Sequence, residues 1–356
     1  MSQDRAQLEQ RAAQGDVEAQ IALGRLHEET GNQQLARGWY ARAAKQDSVA
    51  GLRRLAMNLM TREPIVAGDG VNMIRAAAAR GDGEAAYVCA ALAIHDAGLN
   101  NRGEVALECL FDAAESGYRP AQEELTLLAG GHLPAQPPDG GWHALKDRIA
   151  MDKWSSAPSA RTVFEDPRVL VIEHCAPPEV CDWLIAQTRP RLKKAEVYDE
   201  KTARGREEEA RNNSTAEFSI PESSVLIGLI RARAVAISGL PMRGLEKVSI
   251  LHYAVGQQFV EHVDYLHPSV PAYAREIAQH GQRAATFLLY LSDDYEGGET
   301  QFFDLDWRYK GRKGDALLFW NVDAKGAPHL RTRHAGTPTT KGEKWVLSQW
   351  LRQPPR

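Results

Sequence analysis

One feature constrains the fold of this chain more than any other: a histidine and an aspartate that lie close together, with a second histidine far along the chain. His262 and Asp264 are separated by one residue near the end of an apolar stretch, and His334 follows after several further apolar runs. Side chains two residues apart point to the same face of an extended strand, so His262 and Asp264 can bind one ion. His334 can complete such a site only if the intervening strands curl into a barrel or a sandwich. The pattern therefore predicts a closed β-structure around a metal.

The chemistry of these three side chains favours a catalytic metal over a structural one. Two imidazoles and one carboxylate bind one face of a ferrous ion and leave the other positions open. Zinc is the alternative ion, because it also accepts two histidines and a carboxylate. Lys344 begins the predicted last strand, and a cation on the wall that bears the ligands suits a dicarboxylate, which favours iron.

Several sequence blocks in a fixed order carry a resemblance to a known family. The blocks are Tyr253 with the His262-x-Asp264 pair, residues 282–293, residues 296–300, residues 313–320, and His334 to Trp345. Through these blocks, residues 163–356 resemble the catalytic domain of prolyl 4-hydroxylases, within the 2-oxoglutarate- and Fe(II)-dependent dioxygenases. The resemblance implies hydroxylation of an unactivated carbon, with peptidyl proline as the first expected target.

The resemblance also implies a set of cofactors and a role for each matched residue. It implies Fe(II), 2-oxoglutarate as cosubstrate, O2, and ascorbate as a reductant. The implied metal ligands are His262, Asp264 and His334. The implied contacts of 2-oxoglutarate are Lys344, at the far carboxylate, with Tyr253, Thr286 and Trp350. Packing in the core is the alternative role of Trp350.

The substrate contacts are less clearly defined by the sequence. Arg211 to Ser214 resembles a short Arg-Asn-Ser or Arg-Thr-Ser block near the family's peptide groove, which implies Arg211 as a substrate contact. The charged segment from Lys201 to Arg211 is interpreted as a solvated loop or, alternatively, as part of a lid at residues 196–216. Phe259 stands where hydroxylases of peptidyl proline often carry a tyrosine. A free small molecule or another side chain is therefore the alternative target.

The first 126 residues are rich in alanine and repeat a short motif. Its copies begin at Ala12, Ala43, Ala78 and Ala113. Periods of about 20 to 50 residues are typical of solenoids, in which each helix pair buries its apolar face against a neighbour. Gly15, Gly81 and Gly117 are predicted to form left-handed turns, and Gln46 replaces this glycine in the second copy. The motif resembles Sel1-like repeats, a tetratricopeptide-related family, which implies that this region holds a protein or peptide. A plain helical bundle is the alternative.

Composition divides the chain into predicted parts. Residues 1–126 form the helical repeats, and residues 127–162 form a Gly-, Pro- and Ser-rich linker with a short helix. Residues 163–356 form the oxygenase-like domain, with buttressing helices predicted at 178–186 and 221–238. The predicted fold is an all-α solenoid followed by a double-stranded β-helix, or jelly-roll.

Charge and cysteine content argue against several other classes of protein. The 43 basic and 47 acidic residues give no global basic field, so we expect neither a nucleic-acid partner nor a membrane partner. Scattered cysteines without a CxxC pair indicate reduced thiols, and neither a signal peptide nor a membrane span is predicted, which favours a cytoplasmic location. A repeat scaffold with a vestigial oxygenase module is a further alternative, which the complete ligand set disfavours.

Overall fold

The described residues of the chain group into two compact units. The computed structural model describes residues 2–60, 67–131, 137–195, 197–199, 204–206 and 211–355, with the backbone alone for residues 2, 3, 67, 197–199 and 204–206. The first unit comprises Met1–Met151 and Ser219–Gly228, and the second comprises Asp152–Phe218 and Leu229–Arg356. Within the described ranges, no helix combines the length and the apolar character needed to cross a membrane.

The first unit is helical. Its helices in chain order are α1 (Ser2–Ala13), α2 (Val17–Glu29), α3 (Gln33–Lys45), α4 (Val49–Met60), α5 (Ala67–Ala79), α6 (Gly83–His95), α7 (Arg102–Glu115) and α8 (Arg119–Leu128). Each helix packs against the next one in sequence. Small residues allow close approach: Tyr40 on α3 is fully buried, and a Cβ added to Gly24 on α2 would overlap its ring. The helix-rich N-terminal region is therefore confirmed.

In each alanine-rich motif, a residue with a left-handed backbone conformation follows the first helix. In one motif this residue lies one position later than predicted. The residues with positive φ at these turns are Gly15, Asp47, Gly81 and Gly117. In the second motif, Gln46 is the C-cap residue at φ −93°, and its amide donates to Gln20 Oε1 at 3.0 Å. Asp47 takes the left-handed conformation instead, which aspartate adopts more readily than most residues with a side chain. The second motif therefore also has a left-handed turn, and the turn residue is the one that follows Gln46.

A short segment from far along the chain completes the first unit. Residues Ser219–Gly228 belong to this unit, although the residues on both sides belong to the second. The backbone N–H of Leu226 donates to Glu124 Oε1 at 2.8 Å, and Ser223 Oγ lies 3.4 Å from His95 Nε2. Glu124 is fully buried, so the first unit contains a carboxylate that is removed from water.

The second unit contains most of the remaining regular structure. Its strands are β1 (Arg161–Glu165), β2 (Arg168–Ile172), β3 (Lys193–Lys194), β4 (Val197–Asp199), β5 (Arg204–Arg206), β6 (Ser214–Phe218), β7 (Val248–Tyr253), β8 (Phe259–His262), β9 (Arg283–Tyr290), β10 (Glu296–Gly297), β11 (Thr300–Phe302), β12 (Trp307–Tyr309), β13 (Ala316–Trp320), β14 (His334–Gly336), β15 (Thr339–Lys341) and β16 (Lys344–Arg352). The helices from the linker onward are α9 (Met151–Ser155), α10 (Pro178–Thr188), α11 (Val225–Ser238) and α12 (Pro271–His280). Helix α11 crosses the division between the units at Gly228.

Two antiparallel sheets of the second unit share one apolar core. The larger sheet has the strand order β1-β2-β13-β9-β16-β7-β6-β3, and the smaller has the order β12-β11-β14-β8. Tyr290 and Val346 of the larger sheet pack in one buried cluster with Phe302 of the smaller sheet. Strands from distant parts of the chain alternate within each sheet. This antiparallel domain agrees with the predicted jelly-roll.

The two predicted outer helices differ in how well their starts were placed. Helix α10 begins at Pro178, as its proline predicts. Helix α11 begins at Val225, whereas a start at residue 221 was predicted. Pro221 instead lies in a separate 3-10 turn, which the side chains of Ser219 and Glu222 close as a capping box. Pro221 therefore marks the start of the 3-10 turn and not the start of α11.

Candidate metal centre

The fold brings His262, Asp264 and His334 to one point. His262 on β8 and His334 on β14 are direct partners in the smaller sheet, and Asp264 follows β8. Nε2 of His262 lies 3.6 Å from Asp264 Oδ1, and Nε2 of His334 lies 3.7 Å from Asp264 Oδ2. One potential ligand atom from each residue falls within 4.8 Å of the others. The three side chains can therefore bind one metal ion, as their spacing predicts.

Both imidazoles are held by the same local hydrogen bond. Nδ1 of His262 lies 2.8 Å from the carbonyl oxygen of Val260, and Nδ1 of His334 lies 2.9 Å from that of Thr332. A carbonyl can only accept, so each Nδ1 carries the proton and each Nε2 presents a lone pair. Such outer hydrogen bonds fix the tautomer and the ring orientation of metal-binding histidines. The donor set thus fits a metal without rearrangement.

The charge state of the cluster also suits a divalent cation. Burial and the nearby His262 lower the pKa of His334 to about 4, so its imidazole is neutral at pH 7. Burial alone would raise the pKa of Asp264, but His334, His262 and the hydroxyl of Thr286 lower it below the usual range. Asp264 is therefore a carboxylate and His334 a neutral imidazole, which are the protonation states that metal binding requires of these two residues.

A short hydrogen-bond chain orients the carboxylate. Thr286 Oγ1 on β9 donates to Asp264 Oδ2 at 2.7 Å and accepts from Asn321 Nδ2 at 2.9 Å. All three residues are buried. Thr286 is predicted from the family resemblance to contact 2-oxoglutarate, yet here its only proton is directed to Asp264. Asn321 was not identified from the sequence, and nothing in its sequence neighbourhood marks it.

Phe259 stacks on His262, and Arg211 lies over the ring of Phe259. The ring of Phe259 lies 3.6 Å from the imidazole, centroid to centroid, with 18° between the planes. The guanidinium carbon of Arg211 lies 4.8 Å from the centroid of the Phe259 ring, and Arg211 Nε donates to Asn213 Oδ1 at 3.0 Å. Arg211 is therefore beside the metal cluster. Residues 196, 200–203 and 207–210 of the predicted lid lie outside the described residues.

Lys344 and Tyr253 form a second part of the site. They are direct partners on β16 and β7, and Lys344 Nζ lies 5.1 Å from the centroid of the Tyr253 ring. Lys344 is 3% exposed, and burial lowers its pKa to about 8. Burial raises the pKa of Tyr253 to about 12, so its hydroxyl stays protonated. Within the described part of the chain, no acceptor lies within hydrogen-bond distance of Lys344 Nζ.

A glycine keeps space open beside this ammonium group. Gly336 is on β14, two residues after His334. A Cβ built on Gly336 would lie 3.8 Å from both Lys344 Nζ and the Tyr253 hydroxyl oxygen. The cationic group and the hydroxyl therefore converge on one small region near the metal ligands, where an anion with two ends can reach both. We call this region, formed by Tyr253, Gly336 and Lys344, the anion cradle.

Trp350 does not lie at the anion cradle. It follows Lys344 by six residues on β16, which corresponds to about 20 Å along a strand. Trp350 pairs instead with Thr286 across the sheet, and its ring carries the guanidinium of Arg283 at 3.5 Å. Its predicted contact with 2-oxoglutarate stays a prediction.

Comparisons with known proteins identify the second unit. Residues 248–352 match the family model described as the 2OG-Fe(II) oxygenase superfamily. Prolyl 4-hydroxylase 1 of Arabidopsis thaliana is 35% identical over 201 residues, which cover 52% of this chain and 69% of the plant protein. Probable prolyl 4-hydroxylase 7 of the same plant is 32% identical over 203 residues, covering 52% of this chain and 62% of that protein.

A solved structure matches the same region. The crystal structure of the viral collagen prolyl hydroxylase from Paramecium Bursaria Chlorella virus-1, in complex with 2OG, covers 52% of this chain and 96% of that chain, with 25% identity and a TM-score of 0.41. The identity and coverage of the plant relative, together with the family model, establish the relationship. Fe(II) is the metal cofactor of this family, and 2-oxoglutarate and O2 are its cosubstrates. The chain belongs to the prolyl 4-hydroxylase family of 2-oxoglutarate- and Fe(II)-dependent dioxygenases.

Proposed function

We propose that this chain hydroxylates prolyl residues in a protein substrate. The cluster of His262, Asp264 and His334 carries the proposal, because its lone pairs and charge are already arranged for Fe(II). In this assignment the three side chains would hold the metal, which would supply the oxidation chemistry, and 2-oxoglutarate would bind beside it. The far carboxylate pairs with the ammonium of Lys344 and accepts from the hydroxyl of Tyr253.

The overall reaction follows from the class of cosubstrate. One oxygen atom of O2 enters succinate as 2-oxoglutarate loses CO2, and the other replaces a C–H bond of the substrate by C–OH. The protein's part is to orient the reactants and to keep water away. Thr286 and Asn321 hold the carboxylate of Asp264, while Phe259 covers one face of His262. Arg211, whose guanidinium lies over the ring of Phe259, is assigned to the substrate.

The repeats of residues 1–126 are assigned to substrate capture. Their turns recur at Gly15, Asp47, Gly81 and Gly117, and consecutive helices pack together, which supports a Sel1-like solenoid. Solenoids commonly present an extended surface to a protein or peptide. The target protein would then be held by one part of the chain and modified by the other. Ascorbate as a reductant and a cytoplasmic location stay predictions.

Capture followed by mass spectrometry tests this function. The His262→Ala variant, which cannot bind the metal fully, serves as bait for proteins from the source cell. The captured proteins are then incubated with the intact enzyme, Fe(II) and O2, with and without 2-oxoglutarate. We expect a gain of one oxygen atom on proline in at least one captured protein, with matching succinate release.

The controls separate the function from simple binding. The His262→Ala variant should give neither succinate nor oxygen gain on the same proteins. Oxygen gain on a different residue would replace proline as the target. Succinate release stimulated by a metabolite but by no captured protein would overturn the assignment to a protein substrate.

A further inference from the structure

A buried asparagine beside the metal cluster uses only one half of its amide. Asn321 is 0% exposed, and its Nδ2 donates to Thr286 Oγ1 at 2.9 Å. Its Oδ1 is buried as well and accepts from no donor among the described residues. Buried polar atoms in folded proteins are satisfied by protein groups or by bound water. The Oδ1 atom therefore indicates a second contact of this amide.

The residue opposite Asn321 carries another buried atom of this kind. Val322 and Pro328 form an antiparallel bridge, and the backbone N–H of His329 donates to Asn321 O at 2.8 Å. Asn321 and His329 are thus cross-strand partners, whose side chains point to the same face with their Cβ atoms about 5 Å apart. His329 Nδ1 is buried and likewise has no hydrogen-bond partner within the described ranges. The two unsatisfied atoms therefore belong to neighbouring side chains.

The hydrogen-bond roles of these two atoms exclude a direct bond between them. Nε2 of His329 lies 2.9 Å from Asp166 Oδ1. A carboxylate oxygen accepts, so Nε2 carries the proton of the neutral imidazole and Nδ1 is an acceptor. The amide oxygen of Asn321 is also an acceptor. A water molecule has two O–H groups, so it can donate one to each acceptor and satisfy both.

The other half of the Asn321 amide is coupled to a metal ligand. Thr286 Oγ1 accepts from Asn321 Nδ2 and donates to Asp264 Oδ2 at 2.7 Å. If the amide were turned over, its oxygen would face Thr286 and compete with Asp264 for the single hydroxyl proton. A donor at Asn321 Oδ1 stabilises the orientation that leaves this proton to Asp264. A contact on the His329 side can therefore influence the direction of the Asp264 carboxylate.

We propose that His329 is a positioning residue of the metal centre, and that one buried water joins its Nδ1 to Asn321 Oδ1. The proposal rests on the proposed function only in taking Asp264 as a metal ligand. The hydrogen-bond chain then runs from Asp166 through His329, the water, Asn321 and Thr286 to Asp264. The side chain of Asp166 is 79% exposed and that of His329 is 12% exposed, so the chain leads from the surface to the cluster. His329 acts only through this chain.

Titration with Co(II) tests the role of His329 without turnover. His329→Phe keeps a ring of similar shape and removes both nitrogens, so the water loses one of its two acceptors and holds Asn321 less firmly. We expect the affinity of the full chain for Co(II), followed by its visible absorption, to fall about tenfold, as for other outer partners of metal ligands. The intensities of the absorption bands should change as the carboxylate reorients. Unchanged affinity and unchanged bands would overturn the proposal.

A double-mutant cycle shows whether His329 acts through Thr286. Thr286→Val already interrupts the hydrogen-bond chain next to Asp264. Adding His329→Phe to it should therefore lower the Co(II) affinity by no more than about twofold. A full tenfold loss in the Thr286→Val background would mean that His329 acts by another route, which would contradict the proposed chain.

His252→Phe is the matched control. The side chain of His252 is 11% exposed, and its Nε2 also lies near a carboxylate oxygen, Glu343 Oε1, at 3.5 Å. His252 takes no part in the chain, so its replacement should leave the Co(II) affinity at the value of the parent. Melting temperatures verify that each variant is folded. Equal losses of affinity in His252→Phe and His329→Phe would point to a general loosening of the domain and count against a specific role of His329.

A crystal structure of the unsubstituted chain with Co(II) tests the water directly and does not depend on the folding of a variant. We expect density for one ordered oxygen atom about 2.8 Å from both His329 Nδ1 and Asn321 Oδ1. A direct contact between these two atoms, or protein atoms between them, would overturn the proposal.

Metal binding also distinguishes failure of this inference from failure of the proposed function. Equal Co(II) affinities of the parent and of His262→Ala would overturn the metal assignment, and the inference with it. If His262→Ala loses the affinity while His329→Phe keeps it, only the inference fails. Loss of affinity in both variants, without hydroxylation of any prolyl substrate, would support the role of His329 and contradict the choice of proline.

Discussion

Thr286 shows how a single hydroxyl can control a metal site without touching the metal. Its one proton is committed to Asp264 Oδ2, and its oxygen accepts from the buried amide of Asn321. The amide is itself fully enclosed, so the chain of contacts has little freedom to rearrange. The direction of the Asp264 carboxylate is therefore set by Thr286 on β9 and by Asn321, the residue that follows β13.

Removing this hydroxyl should weaken metal binding. Thr286→Val keeps the shape of the side chain but leaves Asp264 and Asn321 without their shared partner. We expect the affinity for Fe(II) to fall by about 10- to 100-fold, as is typical for outer partners of metal ligands. Titration with Co(II), followed by its visible absorption, measures the affinity independently of turnover. Thr286→Ser keeps the hydroxyl, so its metal affinity should remain near that of the parent. Equal losses of affinity in both variants would contradict the role of the Thr286 hydroxyl.

We predict that Lys344, the proposed partner of 2-oxoglutarate, makes cosubstrate binding sensitive to pH. Burial lowers its pKa to about 8, so the ammonium form is lost as pH rises through 8 in the free enzyme. Because the ammonium form binds the carboxylate, the KM for 2-oxoglutarate should rise above pH 8 by about tenfold per pH unit. Initial rates at several concentrations of 2-oxoglutarate, between pH 7 and pH 9.5, measure this change in KM.

A change of cation provides the control for this pH dependence. Arginine stays protonated over the whole range, so Lys344→Arg should have a flat profile of KM even if its absolute value is higher. A rise of equal steepness in the parent and in Lys344→Arg would show that another group is responsible.

At the scale of elements, β14 supplies two different parts of the site within three residues. His334 begins the strand and faces the metal, while Gly336 ends it and leaves room for the anion cradle. Pairing of His334 with His262 fixes the strand in register. The metal ligands and the cosubstrate contacts are therefore spaced by the strand itself.

A side chain at position 336 should change the KM for 2-oxoglutarate selectively. Gly336→Ala introduces a methyl group 3.8 Å from both Lys344 Nζ and the Tyr253 hydroxyl oxygen, a distance that the folded protein tolerates. We expect the KM for 2-oxoglutarate to rise about tenfold through crowding of the bound ligand. The melting temperature should stay unchanged. A large loss of thermal stability, or an unchanged KM, would contradict the assignment of the cradle.

The elements also show what sequence can and cannot predict. The ligand positions follow from residue type and from a period of two along a strand, so His262 and Asp264 were accessible to sequence reasoning. The contact between Thr286 and Asp264 depends on the register of β9 and on one rotamer, neither of which leaves a local pattern. The turn at Asp47 was missed for a similar reason, because glycine is only one of several residues that adopt positive φ.

At the scale of the whole molecule, the first unit carries a buried titratable group. Glu124 is fully enclosed and accepts from the backbone of Leu226. Burial raises its pKa to about 7, from an ordinary value of 4.5. Between these two pH values, the folded chain holds a proton that the unfolded chain has released. The free energy of unfolding therefore decreases as pH rises from 4.5 to 7.

Replacing this carboxyl group should remove its share of the pH dependence. Glu124→Gln keeps an acceptor for Leu226. We expect its free energy of unfolding to rise by about 3 kcal/mol relative to that of the parent as pH increases from 4.5 to 7. Urea unfolding at several pH values measures the difference, and Glu123→Gln at a more exposed neighbouring position is the control. A constant difference across this range would mean that Glu124 does not titrate there.

The placement of residues Ser219–Gly228 in the first unit has a consequence for protein synthesis. A ribosome releases the chain from its amino end, so the helices α1 to α8 emerge long before this segment exists. Until Gly228 has left the exit tunnel, Glu124 has no Leu226 to bind, and its surroundings stay incomplete. The burial of Glu124 is therefore completed only after translation has passed into the region that encodes the second unit.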